Sequence, residues 1–284
     1  MGGYVRPATL EGALEALAAG VREGRPRVIV AGATDHYPAR VGRAPDEEII
    51  DISALPGFRE VREADGGWWI PAGATWTGVV DAPLPACFDG LKRAARAIGG
   101  RQIQNRATLV GNLCNASPAG DGIPNLLALE AVVELASGRG VRRLPVAAFV
   151  TGNRATLRAA DELATGLWVP AIPGGDTRST FLKLGTRAYL VISIAMVAVV
   201  LTRDDHGRVA TARVAVGACS PVARRLPALE TALAGVQAAP GIGAMVSPAQ
   251  LQPLSPIDDV RATAAYRREA ALVMVRRALE EVVA

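Results

Sequence analysis

The sequence predicts an α+β fold, and three features of the chain point to it. Helix-like and strand-like segments alternate irregularly, without the regular strand–helix repeat of a doubly wound sheet. The 284 residues, half of them hydrophobic, suffice for one large domain or two modest ones. A change of composition at 171–177, AIPGGDT, then predicts a boundary between residues 1–172 and a C-terminal lobe, 173–284.

The N-terminal elements are short. Leucines and alanines recur at helical spacing from Leu10 to Leu17, after Thr9, which is a good N-cap, and Gly20 is expected to end this helix. Strands are predicted at 28–30, 49–52 and 68–75, with a turn of small residues at 31–35. A further helix is predicted for 89–98, with Asp89 as its cap and Gly99 as its stop.

The middle of the chain contains a stretch rich in Gly, Asn, Ser and Asp, between Gly99 and Leu135. Its central part, 108–122, is predicted to be non-helical, and a helix is expected to begin near Pro124. A strand at 132–135 and a turn at 137–140 lead to another strand.

The C-terminal part is predicted to form one sheet and two helices. Residues 181–201 and 209–217 are expected to be strands, because the ambiguous apolar run 190–201 is rich in Val and Ile. Helices are expected at 228–233 and 266–283, and 235–256, rich in Gly and Pro, is expected to be a surface loop.

Composition excludes several classes of function. The net charge of +4 comes from scattered arginines that do not interleave with aromatic residues, so no nucleic-acid partner is expected. Three distant cysteines and two histidines argue against a disulfide framework, a zinc site or an iron–sulfur cluster held by this chain alone. The N-terminus lacks a signal-peptide pattern, and the longest apolar run, 190–201, is short for a membrane span; we therefore expect a cytoplasmic protein.

Two glycine-containing segments are candidates for binding an anion through backbone N–H groups. In 108–122, Gly111 and Gly120 permit a close backbone approach, and Asn112 and Ser117 add short polar groups. Asp121 is a candidate acceptor from a sugar hydroxyl. The alternative is an ordinary strand–helix connection in which these residues are turn formers.

The second segment, Ala31-Gly32-Ala33-Thr34-Asp35, ends an apolar strand, and its alternative is a simple strand-ending turn. It is not a Walker loop, because no Gly-Lys-Ser/Thr follows, and the chain has no Rossmann fingerprint.

Four motifs occur in one order: AGATD (31–35), IPAGATW (70–76), QNRATLVGNLCNASPAGDGIPNLLALEAVVEL (104–135) and FLKLGTRAYLVISIAMV (181–197). In this combination the chain resembles the FAD-binding medium subunit of the molybdenum hydroxylases, the family of xanthine dehydrogenase and carbon monoxide dehydrogenase. The resemblance covers essentially the whole chain. It implies a two-lobed FAD-binding domain of the vanillyl-alcohol oxidase (PCMH) type, with lobes of about 1–52 and 53–172, followed by a C-terminal α+β lobe.

The resemblance also implies roles for single residues. Those expected at the diphosphate from the first lobe are Ala31, Gly32, Ala33, Thr34 and Asp35. Those expected there from the second lobe are Thr108, Gly111 and Asn112, with Ser117 nearby. Asp121 is expected at the ribose or adenine end, Lys183 towards the flavin ring, and Leu163 as a ring contact.

The chain departs from the family pattern at three places. Ala33 replaces a second glycine, which is tolerable where φ is negative. Ala164 stands where many relatives have a bulkier residue. Arg187 lacks the acidic residues that follow it in some relatives, which argues against an NAD⁺ site like that of mammalian xanthine dehydrogenase.

The implied function is electron transfer. Substrate would be oxidised at a molybdenum cofactor in a separate large chain, and electrons would pass through [2Fe–2S] clusters of a small chain to FAD here and on to an external acceptor. The expected assembly is a heterotrimer or a dimer of heterotrimers. Two other hypotheses stay open: a stand-alone FAD-dependent oxidoreductase, for which no catalytic acid or base is evident, and a non-catalytic nucleotide-binding assembly protein.

Overall fold

The computed structural model describes residues 2–42, 46–172 and 174–284. Its secondary structure confirms the α+β expectation, because three of its sheets are flanked by separate helices instead of forming one wound sheet. No helix in these ranges combines the length and the apolar character needed to cross a bilayer.

The first lobe contains a small parallel sheet and one long helix. Its elements are β1 (Tyr4–Val5), α1 (Leu10–Arg22), β2 (Val28–Val30) and β3 (Ile49–Asp51), with strand order β1-β3-β2. Thr9 caps α1 as expected, since its hydroxyl accepts from the N–H of Gly12 at 3.1 Å.

The expectation that Gly20 ends α1 is wrong. The helix continues to Arg22, and Gly24, with φ of +68°, follows it in the left-handed conformation typical of a helix end. Gly20 is buried, and a Cβ on it would lie 2.8 Å from the carbonyl oxygen of Arg25, so its role is close packing.

The second lobe is built on a five-stranded antiparallel sheet of order β4-β5-β10-β6-β7. Its strands are β4 (Arg62–Ala64), β5 (Gly67–Pro71), β6 (Val132–Ser137), β7 (Gly140–Pro145) and β10 (Leu163–Pro170), with a separate hairpin of β8 (Val150–Gly152) and β9 (Ala155–Thr156). Its helices are α2 (Trp76–Asp81), α3 (Asp89–Ala97), α4 (Arg101–Gln104), α5 (Leu109–Asn115), α6 (Gly122–Ala128) and α7 (Val146–Phe149).

Three local expectations for this lobe need correction. The strand predicted at 68–75 stops at Pro71, because the N–H of Ala74 bonds back to the Pro71 carbonyl and turns the chain. Helix α3 begins at Asp89 itself, which lies in its first turn and does not cap it. The segment 108–122 is not free of helix, since α5 occupies 109–115.

The C-terminal lobe is a four-stranded antiparallel sheet with two helices. Its elements are β11 (Asp176–Leu184), β12 (Ala195–Arg203), β13 (Val209–Gly217), β14 (Arg224–Arg225), α8 (Pro227–Leu233) and α9 (Ala264–Val283). Met196, Ala198 and Val200 of β12 pack into the core of the N-terminal domain. The intervening β12 side chains pack with α8 and α9 in a second core, so this strand is buried on both faces.

Two expectations for this lobe are wrong. The apolar residues 190–194 precede β12 in a loop, in which Leu190 has φ of +51°. The stretch 235–256 is not simply a surface loop, because it forms two short 3-10 turns and buries Ile242, Val246 and Leu251 against α9 and the sheet.

The buried carboxylate of Glu162 bonds the segment that follows the β8–β9 hairpin to strand β7. Glu162, 3% exposed, accepts from Nε and Nη2 of Arg142 at 2.6 and 2.8 Å and from the N–H of Ala159 at 2.7 Å. The hydrogen bonds from Arg142 lower the pKa of Glu162 below its ordinary value.

We expect Glu162→Gln to lower the free energy of unfolding at pH 7 by about 1–2 kcal/mol. Because the folded-state pKa is lowered, the stabilisation by Glu162 is fully present above the ordinary Glu pKa and is lost as pH falls from there through the lowered folded-state pKa. Urea unfolding at pH 7 and below pH 4.5 measures both effects, and the acid-dependent loss should be smaller in the variant. The control is Glu63→Gln, at an exposed position of β4; equal pH profiles for wild type and Glu162→Gln would contradict the assignment.

Candidate functional site

Four chain segments converge on a cavity of about 50 Å³ between the two N-terminal lobes. They are the loop after β2, the connection between β3 and β4, the turn after β5, and the connection between α4 and α5. The lining residues are Ala31, Gly32, Ser53, Arg59, Gly73, Thr75, Asn105, Arg106 and Thr108. Small residues, hydroxyl-bearing residues, one asparagine and two arginines therefore line the space between the lobes.

Gly32 sets the distance between the lobes. A Cβ at this position would lie 2.0 Å from the carbonyl oxygen of Arg106 and 2.9 Å from the Cα of Ala107. Since real side chains do not approach backbone atoms this closely, only glycine lets the first-lobe loop rest on the second lobe. The cavity lies at this contact.

Thr75 and Thr108 start two short helices side by side. The two residues form an antiparallel bridge, in which Trp76 N–H donates to the Ala107 carbonyl and Leu109 N–H to the Ala74 carbonyl. Each threonine hydroxyl accepts from a glycine N–H three residues later, at 3.1 and 3.0 Å. Each hydroxyl keeps its own hydrogen, which it can donate to a ligand in the cavity.

The charge around the cavity is positive. Arg59 and Arg106 line it with exposed side chains, and Arg59 donates to the carbonyl of Ser53 at 3.2 Å. A guanidinium is permanently charged and matches phosphate geometry well. Small residues for close approach, hydroxyl donors and two arginines form a donor set suited to a phosphate ester or diphosphate.

The backbone of Ala33 differs from the sequence-based expectation. Its φ is +56°, in the left-handed region. A negative φ was expected, because an alanine side chain is tolerated there. A non-glycine residue there is strained by about 1 kcal/mol or more. The first-lobe loop therefore contains a strained alanine directly beside Gly32.

We expect Ala33→Gly to raise the free energy of unfolding by about 0.5–1 kcal/mol, since glycine adopts this φ without strain, although it also makes the unfolded chain more flexible. The matched control is Ala31→Gly, two residues earlier and without positive φ, which should be neutral or destabilising. Urea midpoints of the three proteins decide between a strained and a relaxed loop; a loss of stability in Ala33→Gly equal to that in Ala31→Gly contradicts the strain.

The second-lobe residues expected at the diphosphate do not form an open loop with free backbone N–H groups. Gly111 lies inside α5, and its N–H is already bonded to Thr108. The side-chain oxygen of Asn112 accepts from the N–H of Gly122 at 3.3 Å, and the hydroxyl of Ser117 accepts from the N–H of Ala119 at 3.3 Å. Of the residues expected at the diphosphate from this lobe, Thr108 is the one that lines the cavity.

Asp121 and Lys183 form a buried ion pair between the second lobe and the C-terminal lobe. Nζ of Lys183 lies 2.6 Å from Oδ2 of Asp121, and the hydroxyl of Ser193 donates to Oδ1 at 2.5 Å. Burial raises the pKa of Asp121, and the charge of Lys183 and the hydrogen bonds oppose this shift. Asn112 connects this cluster to α5 through Gly122, next to Asp121.

The other residues predicted to bind the cofactor lie in the protein core, at the cavity and in the first-lobe loop. Leu163 begins β10 opposite Ala136, and its side chain is buried in the core at 1% exposure. Ala31 and Gly32 line the cavity, whereas Thr34 and Asp35 follow in the same loop and are not part of the lining. The carboxylate of Asp35 is paired with Arg154 of the β8–β9 hairpin.

Sequence reasoning did not select Ser53, Arg59, Gly73, Thr75, Asn105 and Arg106, which complete the lining. One signal for part of this set is present in the sequence. The tetrapeptide AGAT occurs at 31–34 and again at 72–75, and Gly32, Gly73 and Thr75 all line the cavity. Asn105 and Arg106 lie at the start of the third family motif, 104–135, whereas no motif contains Arg59.

Comparison with known families covers both parts of the chain. The model described as the FAD binding domain in molybdopterin dehydrogenase matches residues 1–172. The model described as the CO dehydrogenase flavoprotein C-terminal domain matches residues 180–282.

Individual relatives align over nearly their whole length. The nicotine 6-hydroxylase medium subunit of Paenarthrobacter nicotinovorans is 32% identical over 98% of this chain and 96% of its own. A putative xanthine dehydrogenase FAD-binding subunit of Escherichia coli is 29% identical over 99% of this chain and 96% of its own. A solved carbon monoxide dehydrogenase from Hydrogenophaga pseudoflava superposes with a TM-score of 0.88 at 28% identity, covering 99% of this chain and 96% of that one.

Proposed function

Because this chain belongs to the FAD-binding subunits of the molybdenum hydroxylase family, we propose that it holds FAD between its two N-terminal lobes and relays electrons from a partner subunit to an external acceptor. The lobes proposed to enclose the cofactor are residues of about 1–52 and 53–172. The C-terminal lobe, 173–284, closes the site from the side of Lys183.

The observation that carries this proposal is the cavity at the Gly32–Arg106 contact. Its small residues, its threonine hydroxyls and its two arginines match the needs of a diphosphate. Its volume of about 50 Å³ is far below the roughly 300 Å³ or more of a complete cofactor pocket. We therefore propose that it takes the diphosphate alone and that the rest of the cofactor extends beyond it.

The residues of this chain would bind and orient the cofactor. Ala31, Gly32 and Thr108 would approach the diphosphate, and Arg59 and Arg106 would neutralise its charge. We place the Asp121–Lys183 pair towards the remaining parts of the cofactor, with Leu163 supporting that region from the core. When bound, FAD supplies the capacity to accept and release electrons; the protein supplies position and electrostatic environment.

The proposed partners are a large subunit with the molybdenum cofactor and a small subunit with [2Fe–2S] clusters, in a heterotrimer or a dimer of heterotrimers. The three cysteines of this chain are free and far apart in sequence, which supports cluster ligands in another chain. Free thiols also support our placement of the complex in the cytoplasm.

The test uses the complex obtained by co-expressing the chain with the proposed large and small subunits from the same organism. We expect a flavin spectrum that is lost on removal of FAD and restored on its addition. In the FAD-free complex, substrate should still bleach the iron–sulfur bands, but turnover with an external acceptor should stop. Full turnover without FAD, or oxidation of the substrate by this chain alone, would overturn the electron-relay role.

A further inference from the structure

Three strained backbone positions lie in segments that contact one another. Within the described residues, seven non-glycine residues have positive φ, and three of them are Ala33, Ala116 and Arg154. They lie far apart in sequence, in the first-lobe loop, after helix α5 and at the tip of the β8–β9 hairpin. Strain of this kind persists where surrounding contacts impose it, and it concentrates at functional sites.

Arg154 makes the contacts that bring these segments together. Its Nη1 donates to Oδ2 of Asp35 at 3.0 Å and to Oδ1 of Asn115 at 2.6 Å. Its backbone N–H donates to the carbonyl of Ala116 at 2.9 Å. Asn153 and Arg154 form the hairpin turn, and the second residue of such turns is usually Gly. Because Arg154 occupies this second position, its φ of +55° is strained.

The contacts of Arg154 join the two walls of the candidate FAD cleft. Asp35 lies further along the loop whose beginning, Ala31 and Gly32, lines the cavity. Asn115 ends helix α5, which begins beside Thr108 in the same cavity. The lobes thus touch at the cavity through Gly32 and are joined again through Arg154, which bonds to this loop and to the end of α5.

We propose that Arg154 is a positioning residue for FAD: it holds Asp35 against the end of α5 and thereby fixes the first-lobe loop over the cofactor. This inference rests on the proposed function. The side chains of Arg154 and Asp35 are 58% and 57% exposed, and such exposed pairs contribute little to global stability. We therefore assign the contact of Arg154 with Asp35 to the position of the loop and not to the stability of the fold.

Charge makes the role of Asp35 testable. A carboxylate near an anionic diphosphate repels it, so on electrostatic grounds alone Asp35→Asn should tighten FAD binding. In the positioning role, the same substitution releases the loop and weakens binding. The two roles therefore predict opposite signs for one variant.

The experiment compares FAD dissociation constants and dissociation rates, followed by flavin fluorescence, for the full chain and its variants. We expect Arg154→Gln and Asp35→Asn each to weaken binding roughly threefold to tenfold through faster dissociation, and the double variant to match either single one. Arg154→Lys should recover most of the affinity, because it keeps the charge. The control is Arg143→Gln, which removes an exposed ion pair with Glu134 on the sheet and should bind FAD as wild type does.

Salt tests whether charge is the origin of the effect: the difference in affinity between wild type and Arg154→Gln should shrink at 1 M NaCl, since salt screens an exposed pair. A second measurement distinguishes positioning of the loop from a direct contact between Arg154 and the cofactor. Amide hydrogen exchange in residues 31–36 of the FAD-free chain should be faster in Arg154→Gln, with the rest of the chain unchanged. A direct contact with FAD would leave exchange in the FAD-free chain as it is in wild type.

Tighter binding by Asp35→Asn overturns the positioning role, and so do unchanged binding and unchanged exchange in Arg154→Gln. In both cases the wild-type affinity for FAD still supports the proposed function. Failure of the wild type to bind FAD refutes the proposed function, and the role of Arg154 towards FAD with it; faster exchange in Arg154→Gln then still shows that this residue orders the loop.

Discussion

Gly32→Ala is expected to lower the affinity for FAD roughly 10- to 100-fold. The added Cβ would lie 2.0 Å from the carbonyl oxygen of Arg106, which is backbone and cannot rotate away. The first-lobe loop must therefore move off the second lobe and widen the cavity at the proposed diphosphate site. Titration with FAD, followed by quenching of flavin fluorescence, measures the change.

The matched control for this prediction is Gly138→Ala. Gly138 lies in the β6–β7 turn, and a Cβ there meets nothing within 4 Å. We expect its affinity for FAD to equal that of wild type. Wild-type affinity in Gly32→Ala would mean that the cofactor does not depend on the contact between the lobes at this cavity.

A second large effect is expected at the buried pair of Asp121 and Lys183. Asp121→Ala leaves the Lys183 ammonium, 12% exposed, without its charged partner, and we expect a loss of about 3–5 kcal/mol in the free energy of unfolding. We also expect FAD affinity to fall by about 1–3 kcal/mol, because the carboxylate is missing from the proposed cofactor site. Urea unfolding and FAD titration measure the two losses separately.

A double variant distinguishes loss of the pair from loss of either side chain. In Asp121→Asn with Lys183→Met, no charge of this pair remains buried, and the asparagine can still bond to Ser193. We expect the double variant to be more stable than either single variant, yet to stay weak in FAD binding. Additive losses of stability in the double variant would show that the two residues do not act as a coupled pair.

Much of the local structure could be predicted because its causes lie within a few residues. Thr9 caps α1 through Gly12, three residues away, and the apolar spacing of α9 marks that helix directly. The apolar run before and in β12 was ambiguous for a physical reason. This strand is buried on both faces, so the alternation that usually distinguishes a strand is missing.

The glycine-rich segment shows where local patterns mislead. Gly, Asn and Ser favour turns, and 108–122 was accordingly expected to lack helix. Helix α5 forms there because Thr108 caps it and because Leu109, Val110 and Leu113 are buried in the core. Tertiary packing of three apolar side chains outweighs the weak preference of the polar ones.

The order of the amino acids was enough to predict the α+β class, most element positions and, through four ordered motifs, membership of an FAD-binding family. The three-dimensional structure was needed to show which groups are in contact. Gly32 lies against the carbonyl of Arg106, Lys183 pairs with Asp121 at a sequence separation of 62 residues, and Arg154 pairs with Asp35 at a separation of 119. The reason is physical. Caps and periodicity depend on neighbouring residues, whereas a contact between lobes depends on how separate elements pack, which no single segment specifies.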